Sequence, residues 1–487
     1  MLKLFERPLF LLALILVALL PVMALMPFSD TTEPRYAEIA RLMLERNDWI
    51  TPWFDPQTPF WGKPPLSFWL QALSMKFFGV SEFAARLPSY LSLCACAFLL
   101  QRVVQQLHSA WQGLWAAIIY VSCALSFTTG AGVLTDPLLN LGLLLALVSF
   151  VMVMEGQGAW NYGFFIGLSI ALLAKGPLAL VLLGAPLLLW VLLSFKERVL
   201  LLKRFAWRSG LVIIAILVLP WYILAEIKTP GFLYYFIVGE HVLRFLDPGW
   251  QGDMYGTAHE YMHGTIWWFA LQAMAPWSLL LIAFAVGAAF STKLRGHWQA
   301  LSQAPYFSLF ICYGLFVPSF FTFSGNVLWT YVLPAIPAFA YLLSMLLVPY
   351  VMETRPRLKL LPVTTALLMP VAGVVLCALV LLVPQQFKTE KYLIQAWQAI
   401  TPSCPLYYVD KAPFSARFYS SEQSQSLAVA DIHSWLQAHK SAPICLAVSK
   451  RDEKSLSDLA PYQDTIIASS KRYILFKLSP PSYAANE

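Results

Sequence analysis

The sequence predicts an all-α polytopic membrane protein that carries a small C-terminal α/β domain. Three observations predict it. Of 487 residues, 59% are hydrophobic and only 12% are charged. Apolar runs repeatedly reach the length that crosses a bilayer. After Pro384 the composition turns mixed and polar for about a hundred residues, enough for one small domain.

Hydropathy marks eleven candidate spans: 8–27, 87–104, 114–128, 138–154, 162–174, 177–195, 211–225, 266–290, 307–323, 327–351 and 360–384. The third and fifth are short, and the pattern allows roughly 11–13 transmembrane helices. The first run follows Lys3 and Arg7 like a signal peptide, but no small-residue cleavage pattern follows it, so it reads as a retained helix. Residues 66–78 are also apolar, yet Lys76 and the preceding prolines make them an interfacial helix.

The net charge of +7 does not point to nucleic acid, because the basic residues fall in short clusters between apolar runs. They report orientation. With the N-terminus in the cytoplasm, Lys3, Arg7, Arg102, the cluster from Lys196 to Arg208, Lys293, Arg295, Arg355, Arg357 and Lys359 all fall inside. The first outward loop breaks the bias with Arg35, Arg41, Arg46 and Lys63, and basic residues kept on that side call for an anionic partner such as a lipid phosphate.

The chain therefore divides into a membrane domain, 1–386, with outward loops at 28–82 and 228–264, and an outward C-terminal domain, 387–487. In the latter, β-rich runs at 406–409, 444–448 and 473–478 alternate with helical patterns such as 430–439. Of seven cysteines, Cys94, Cys96, Cys123, Cys312 and Cys377 lie in apolar runs, where a thiol is a small buried group. Cys404 and Cys445 lie in the polar domain, either as a disulfide or as two lone thiols. No cysteine spacing reads as a zinc site.

The first outward loop holds the densest set of ionisable groups. Tyr36, Ile39, Ala40, Met43 and Leu44 follow helical spacing, which predicts a helix along the membrane surface with Arg35, Glu38, Arg41 and Glu45 turned away from its apolar face. Asp30 and Glu33 stand at its start, where a capping box and a pair of catalytic acids are both consistent with the spacing. Asp136 stands ahead of Pro137 as a helix cap or as a further acid on the same side. Three cations reach that face: Lys63 in a Gly-Lys-Pro-Pro turn, Lys175 before Gly176 and Pro177, and Arg244 in Glu240-His241-Val-Leu-Arg244. Carboxylates beside several cations at an outer membrane face fit glycosyl transfer from a polyprenyl phosphate sugar: cations stabilise the departing phosphate, and a carboxylate orients or deprotonates the acceptor. A single displacement of that kind inverts the anomeric centre.

Glu33-Pro-Arg-Tyr-Ala-Glu-Ile-Ala, Asn47-Asp-Trp-Ile-Thr-Pro, Gly62-Lys-Pro-Pro-Leu, Phe78-Gly-Val-Ser-Glu-Phe-Ala-Ala-Arg-Leu-Pro, Lys175-Gly-Pro and Glu240-His-x-x-Arg-Phe together resemble the bacterial protein-mannosyltransferase-like family, which includes the aminoarabinose transferases of lipid A. The resemblance implies a GT-C fold in the inner membrane and an undecaprenyl phosphate-linked sugar as donor. It also implies an acceptor on the periplasmic side, such as lipid A or another glycolipid. Glu33 matches the family's loop glutamate, but the aspartate that commonly precedes it is Thr32 here, with Asp30 two positions earlier. Asp136 looks like the second acidic position, and Lys63, Lys175, Arg244 and Tyr331 look like lipid-phosphate contacts. His241 is similar to a family histidine near a divalent ion, although a lone loop histidine is more often a hydrogen-bonding residue. Relatives commonly carry a lysine shortly after the residue matching Ser324, and this chain has none before Tyr331. The C-terminal domain carries no assignable motif.

Two other classes compete. A transporter or lipid flippase also needs many spans, but places its charges near mid-bilayer, often in repeated halves. A noncatalytic scaffold leaves the three outward cations without a common purpose.

Overall fold

The apolar runs of the sequence coil into helices, since backbone groups in a bilayer must find their partners within the segment. In a computed structural model, the structure describes residues 6–193, 198–199, 202–247, 250–256, 259–352, 359–400, 404–428, 432, 435, 443–459 and 465–478. The chain forms two compact units: Met1–Ala24 with Leu42–Val374, and Leu25–Arg41 with Val375–Glu487.

In chain order the helices are α1 (Pro8–Leu25), α2 (Thr32–Arg46), α3 (Leu66–Phe78), α4 (Glu82–Leu107), α5 (Ala110–Ser122), α6 (Ala124–Gly130), α7 (Asp136–Met154), α8 (Asn161–Lys175), α9 (Leu178–Leu192) and α10 (Trp207–Lys228). A ten-residue π-helical segment, Tyr234–Leu243, follows. Then come α11 (Thr265–Ala273), α12 (Trp277–Phe290), α13 (Thr292–Ser302), α14 (Phe307–Phe321), a 3₁₀ stretch Trp329–Ala335, α15 (Ile336–Met352) and α16 (Leu360–Leu382). Serine caps start three of them: Ser81 accepts from the Ala84 amide, Ser109 from the Gln112 amide and Ser291 from the Leu294 amide.

Among the described residues, six helices are long and apolar enough to cross a membrane, and nine are if each of three bent pairs counts as one span. Adding α8 and α9, each of fifteen residues, accounts for all eleven apolar runs of the sequence. Two of those runs are not straight. Residues 114–128 bend by 72° between α5 and α6, and 266–290 by 103° between α11 and α12, where Pro276 precedes the second helix. Burial follows depth in the bundle. α7 is buried on nearly every side, whereas α1 buries one face, with Leu11, Ile15, Leu19, Val22 and Met23, and exposes Leu9 and Phe10. An apolar face left uncovered by protein is what lipid-facing helices require.

The second unit contains a five-stranded sheet of β1 (Leu406–Val409), β2 (Ser424–Leu427), β3 (Ile444–Ser449), β4 (Ile466–Ser469) and β5 (Tyr473–Leu478), in the order β2-β1-β3-β5-β4. β1 runs parallel to β2 and β3, and β5 antiparallel to β3 and β4. The central strand β3 is buried from Ile444 to Val448, as a strand covered on both faces must be. Short helices α17 (Lys391–Gln398), α18 (Phe414–Tyr419) and α19 (Glu453–Asp458) complete the α/β unit. The expected helix at 430–439 lies almost entirely outside the described residues. Cys404, just before β1, is disulfide-bonded to Cys445 in β3, with Cα atoms 5.6 Å apart.

Residues 25–41 are built into this unit. The Phe28 ring meets Phe418 edge-on at 4.9 Å, and its amide donates to the Tyr419 hydroxyl at 2.8 Å. Glu38 and Arg41, expected on the face of α2 turned away from its apolar side, are covered there: they are 1% and 7% exposed and form a two-pronged pair, Arg41 Nε to Glu38 Oε2 at 2.8 Å and Nη2 to Oε1 at 2.7 Å. Helical spacing shows which residues share a face, not what covers it.

Candidate active site

The site in the first unit begins with a close helix crossing. A Cβ on Gly142 of α7 would fall 2.6 Å from the Gly167 carbonyl oxygen, and one on Gly167 of α8 would fall 2.6 Å from that of Gly142. Small residues at this crossing let the backbones approach. The start of α7 and the end of α8 then meet, and Lys175 Nζ lies 2.5 Å from Asp136 Oδ1 with both side chains buried. Thr135, not Asp136, holds the cap position, so Asp136 is the first residue of α7. Lys175 Nζ also sits 4.9 Å from the centre of the Tyr331 ring.

A second charge cluster comes from the loops. Glu240 accepts from Lys63 Nζ at 3.0 Å and from Arg244 Nη1 at 3.1 and 3.2 Å, and Arg244 reaches Asp253 at 3.3 Å. Burial alone would raise the Glu240 pKa, but Lys63 and Arg244 outweigh it and hold the carboxyl below its ordinary value. Burial likewise opposes the charge on Arg244, and Glu240, Tyr331 and Asp253 together more than restore it. Lys63, Lys175, Glu240, His241, Arg244 and Tyr331 line one pocket with about 590 Å³ of open space, walled on its apolar side by Leu178, Phe245, Phe320 and Phe321. Ser324 and Asn326 add neutral hydrogen-bonding groups.

Residues 9–236 match the family model described as dolichyl-phosphate-mannose-protein mannosyltransferase. The chain is 29% identical over 342 residues to an undecaprenyl phosphate-alpha-4-amino-4-deoxy-L-arabinose arabinosyl transferase of Shewanella sediminis, covering 68% of this chain and 57% of that one. It is 30% identical over 328 residues to a second protein of that description from Sodalis glossinidius, covering 64% and 54%. The chain is similar to these glycosyltransferases. It matches little more than half the length of those relatives. The crystal structure of ArnT from Cupriavidus metallidurans bound to undecaprenyl phosphate superposes with a TM-score of 0.76 at 17% identity, over 98% of each chain. The GT-C fold is therefore shared.

The structure gathers Lys63, Lys175, Arg244, Tyr331 and His241 around one pocket, with Asp136 behind Lys175. Asp30 belongs to the other unit, where its carboxylate accepts from the Ser415 amide at 2.8 Å and hydroxyl at 2.5 Å and pairs with Arg472. Those bonds, rather than a cap on α2, engage it. Glu33 lies in the first turn of α2. Sequence reasoning missed Glu240 and Asp253 as counter-ions, although Glu240 four residues before Arg244 is the spacing of a helical ion pair.

The divalent ion implied near His241 does not fit these residues. Nδ1 lies 2.7 Å from the Phe236 carbonyl oxygen and Nε2 3.1 Å from that of Lys175, so each nitrogen faces a backbone carbonyl rather than open space that a metal could enter. Burial pushes the imidazole pKa below its ordinary value, against the two carbonyls, which favour a proton. Among the described residues, no group of three or more His, Cys, Asp or Glu is placed to hold a metal.

Proposed function

We propose that this protein is an inner-membrane glycosyltransferase that moves a sugar from a polyprenyl phosphate donor, of the undecaprenyl type, to an acceptor on the periplasmic side such as lipid A or another glycolipid. The observation that carries the reading is the pocket in which three cations, Lys63, Lys175 and Arg244, converge beside a wall of phenylalanines. A lipid phosphodiester needs both: charge for its head and apolar surface for its tail. The relatives' names and the bound lipid in the ArnT crystal structure point the same way.

In the proposed reaction an acceptor hydroxyl attacks the anomeric carbon, the carbon–oxygen bond to phosphate breaks, and the configuration inverts. Lys63, Lys175 and Arg244 stabilise the phosphate that leaves, and the Tyr331 hydroxyl assists in holding it. Asp136 acts through Lys175, pairing with it and holding it in place. The loop acids Asp30 and Glu33 are proposed to orient the acceptor or take its proton. The N-terminus is proposed to be cytoplasmic and the C-terminal domain periplasmic, as the Lys and Arg distribution favours. A transporter reading is less favoured, because the charges gather at one end of the bundle, where α7 begins and α8 ends.

Lipid extracts of cells with and without the protein, compared by mass spectrometry, test the proposal. Accumulation of one undecaprenyl phosphate-linked sugar in its absence, with loss of that sugar from an outer glycolipid, is the expected result. Unchanged lipids and no transfer by the purified protein would reject it.

A further inference from the structure

We infer that His241 is a positioning residue, a clamp that joins the end of α8 to the π-helical segment and so sets the spacing of the cations in the pocket, and that it is not a metal ligand. Its two ring nitrogens face carbonyl oxygens on two different elements, 2.7 Å away on Phe236 of the π-helical segment and 3.1 Å away on Lys175 of α8. The Lys175 carbonyl is the last of its helix and lacks an intrahelical donor, and the His241 ring is placed to satisfy it.

The packing around the ring is built for this approach. Gly176 leaves α8 with φ of +77°, and a Cβ there would fall 2.5 Å from the Phe236 ring and 3.3 Å from His241 Cε1. The His241 and Phe236 rings meet edge-on at 4.7 Å. On one side of the clamp, the Lys175 side chain reaches Asp136. On the other, Glu240, adjacent in sequence, binds Lys63 and Arg244. The protonated nitrogen donates to one carbonyl while the ring packs between both, so one imidazole ties the element carrying the first cation to the element that holds the other two. A metal at either nitrogen would have to displace a carbonyl already within hydrogen-bond distance.

The consequence for donor binding rests on the transferase reading, whereas the clamp itself does not. The experiment uses the full chain in detergent micelles. Hydrogen exchange should rise in His241→Ala at both 172–178 and 234–246, and treatment of the wild type with EDTA should change neither segment. Unchanged exchange in the variant would overturn the clamp. So would an EDTA effect that mimics the variant, or a Zn²⁺ site seen by calorimetry in the wild type and lost in the variant. Undecaprenyl phosphate should bind His241→Ala about tenfold more weakly at a near-unchanged melting temperature. His241→Gln, whose amide carries two N–H groups, should recover most of that loss, and failure to recover any would argue against positioning. A wild type that does not bind undecaprenyl phosphate at all would reject the transferase reading, while the exchange data would still decide the clamp.

Discussion

Lys175 and Asp136 form a buried ion pair, Nζ to Oδ1 at 2.5 Å, at the point where α8 ends and α7 begins. Removing one member of such a pair strands the other as an uncompensated charge, which costs roughly 3–5 kcal/mol, whereas replacing both with apolar residues is far milder. Asp136→Asn should therefore lower the melting temperature of the detergent-solubilised chain and weaken donor binding. The double variant Asp136→Leu/Lys175→Met should melt close to the wild type and bind donor poorly. If Asp136→Asn melts normally, the pair is not holding the crossing.

The Lys63–Glu240–Arg244 cluster predicts redundancy. Glu240 has two cations, so either can be removed without leaving it buried and unpaired. Lys63→Ala and Arg244→Ala should each fold, and each should weaken binding of undecaprenyl phosphate by about 1.5–3 kcal/mol, the value of a hydrogen bond to a charged group. The double alanine variant should be unstable, and adding Glu240→Gln should restore its melting temperature but not its binding. Donor affinity unchanged in both single variants would remove the pocket from the reaction.

The sequence shows which side chains are out of place more readily than what they touch. Lys63, Lys175 and Arg244 stand out because each is a cation beside apolar runs or prolines, and all three reach one pocket. Their counter-ions are less legible, since Lys63 and Glu240 are 177 residues apart and no local spacing links them. The eleven apolar runs are plain from hydropathy, but hydropathy is blind to a bend, so the breaks at Cys123 and Pro276 had no signal of that kind. The π-helical segment around His241 is also hidden, because it changes which residues share a face without changing composition. The attachment of Asp30 to Arg472 spans 442 residues, and only the folded chain shows it.

Asp30 carries the next prediction. Its carboxylate accepts two bonds from Ser415 and pairs with Arg472, which also binds Glu390 at 2.8 Å. Asp30→Asn keeps an acceptor for the Ser415 amide but loses the ion pair, so it should destabilise the second unit by about 1–3 kcal/mol. Asp30→Ala should cost more, because it also leaves the Ser415 amide buried without its acceptor. If Asp30→Asn abolishes transfer with no loss of stability, the acid acts in the reaction and not only in the fold.

Glu390 gives the second unit a pH dependence with a definite sign. Burial raises its pKa, Asp30 adds to that, and Ser470 and Arg472 oppose it, leaving the carboxyl at about 7 against 4.5 for the free group. Its Oε2 is buried without a hydrogen-bond partner, consistent with an anion poorly accommodated there. Between those two values the folded chain binds more proton than the unfolded chain, so stability falls as pH rises. The contribution is full below about 4.5 and lost as pH passes through about 7. Glu38, also raised to about 7 chiefly by burial, adds a slope of the same sign. Glu390→Gln cannot titrate, so the melting temperature of the wild type minus that of the variant should decline as pH rises from 4.5 to 7 and level off above. Because Glu38 titrates in both proteins, the difference isolates Glu390. Parallel melting curves across that window would show that the Glu390 carboxyl is not held protonated by its surroundings.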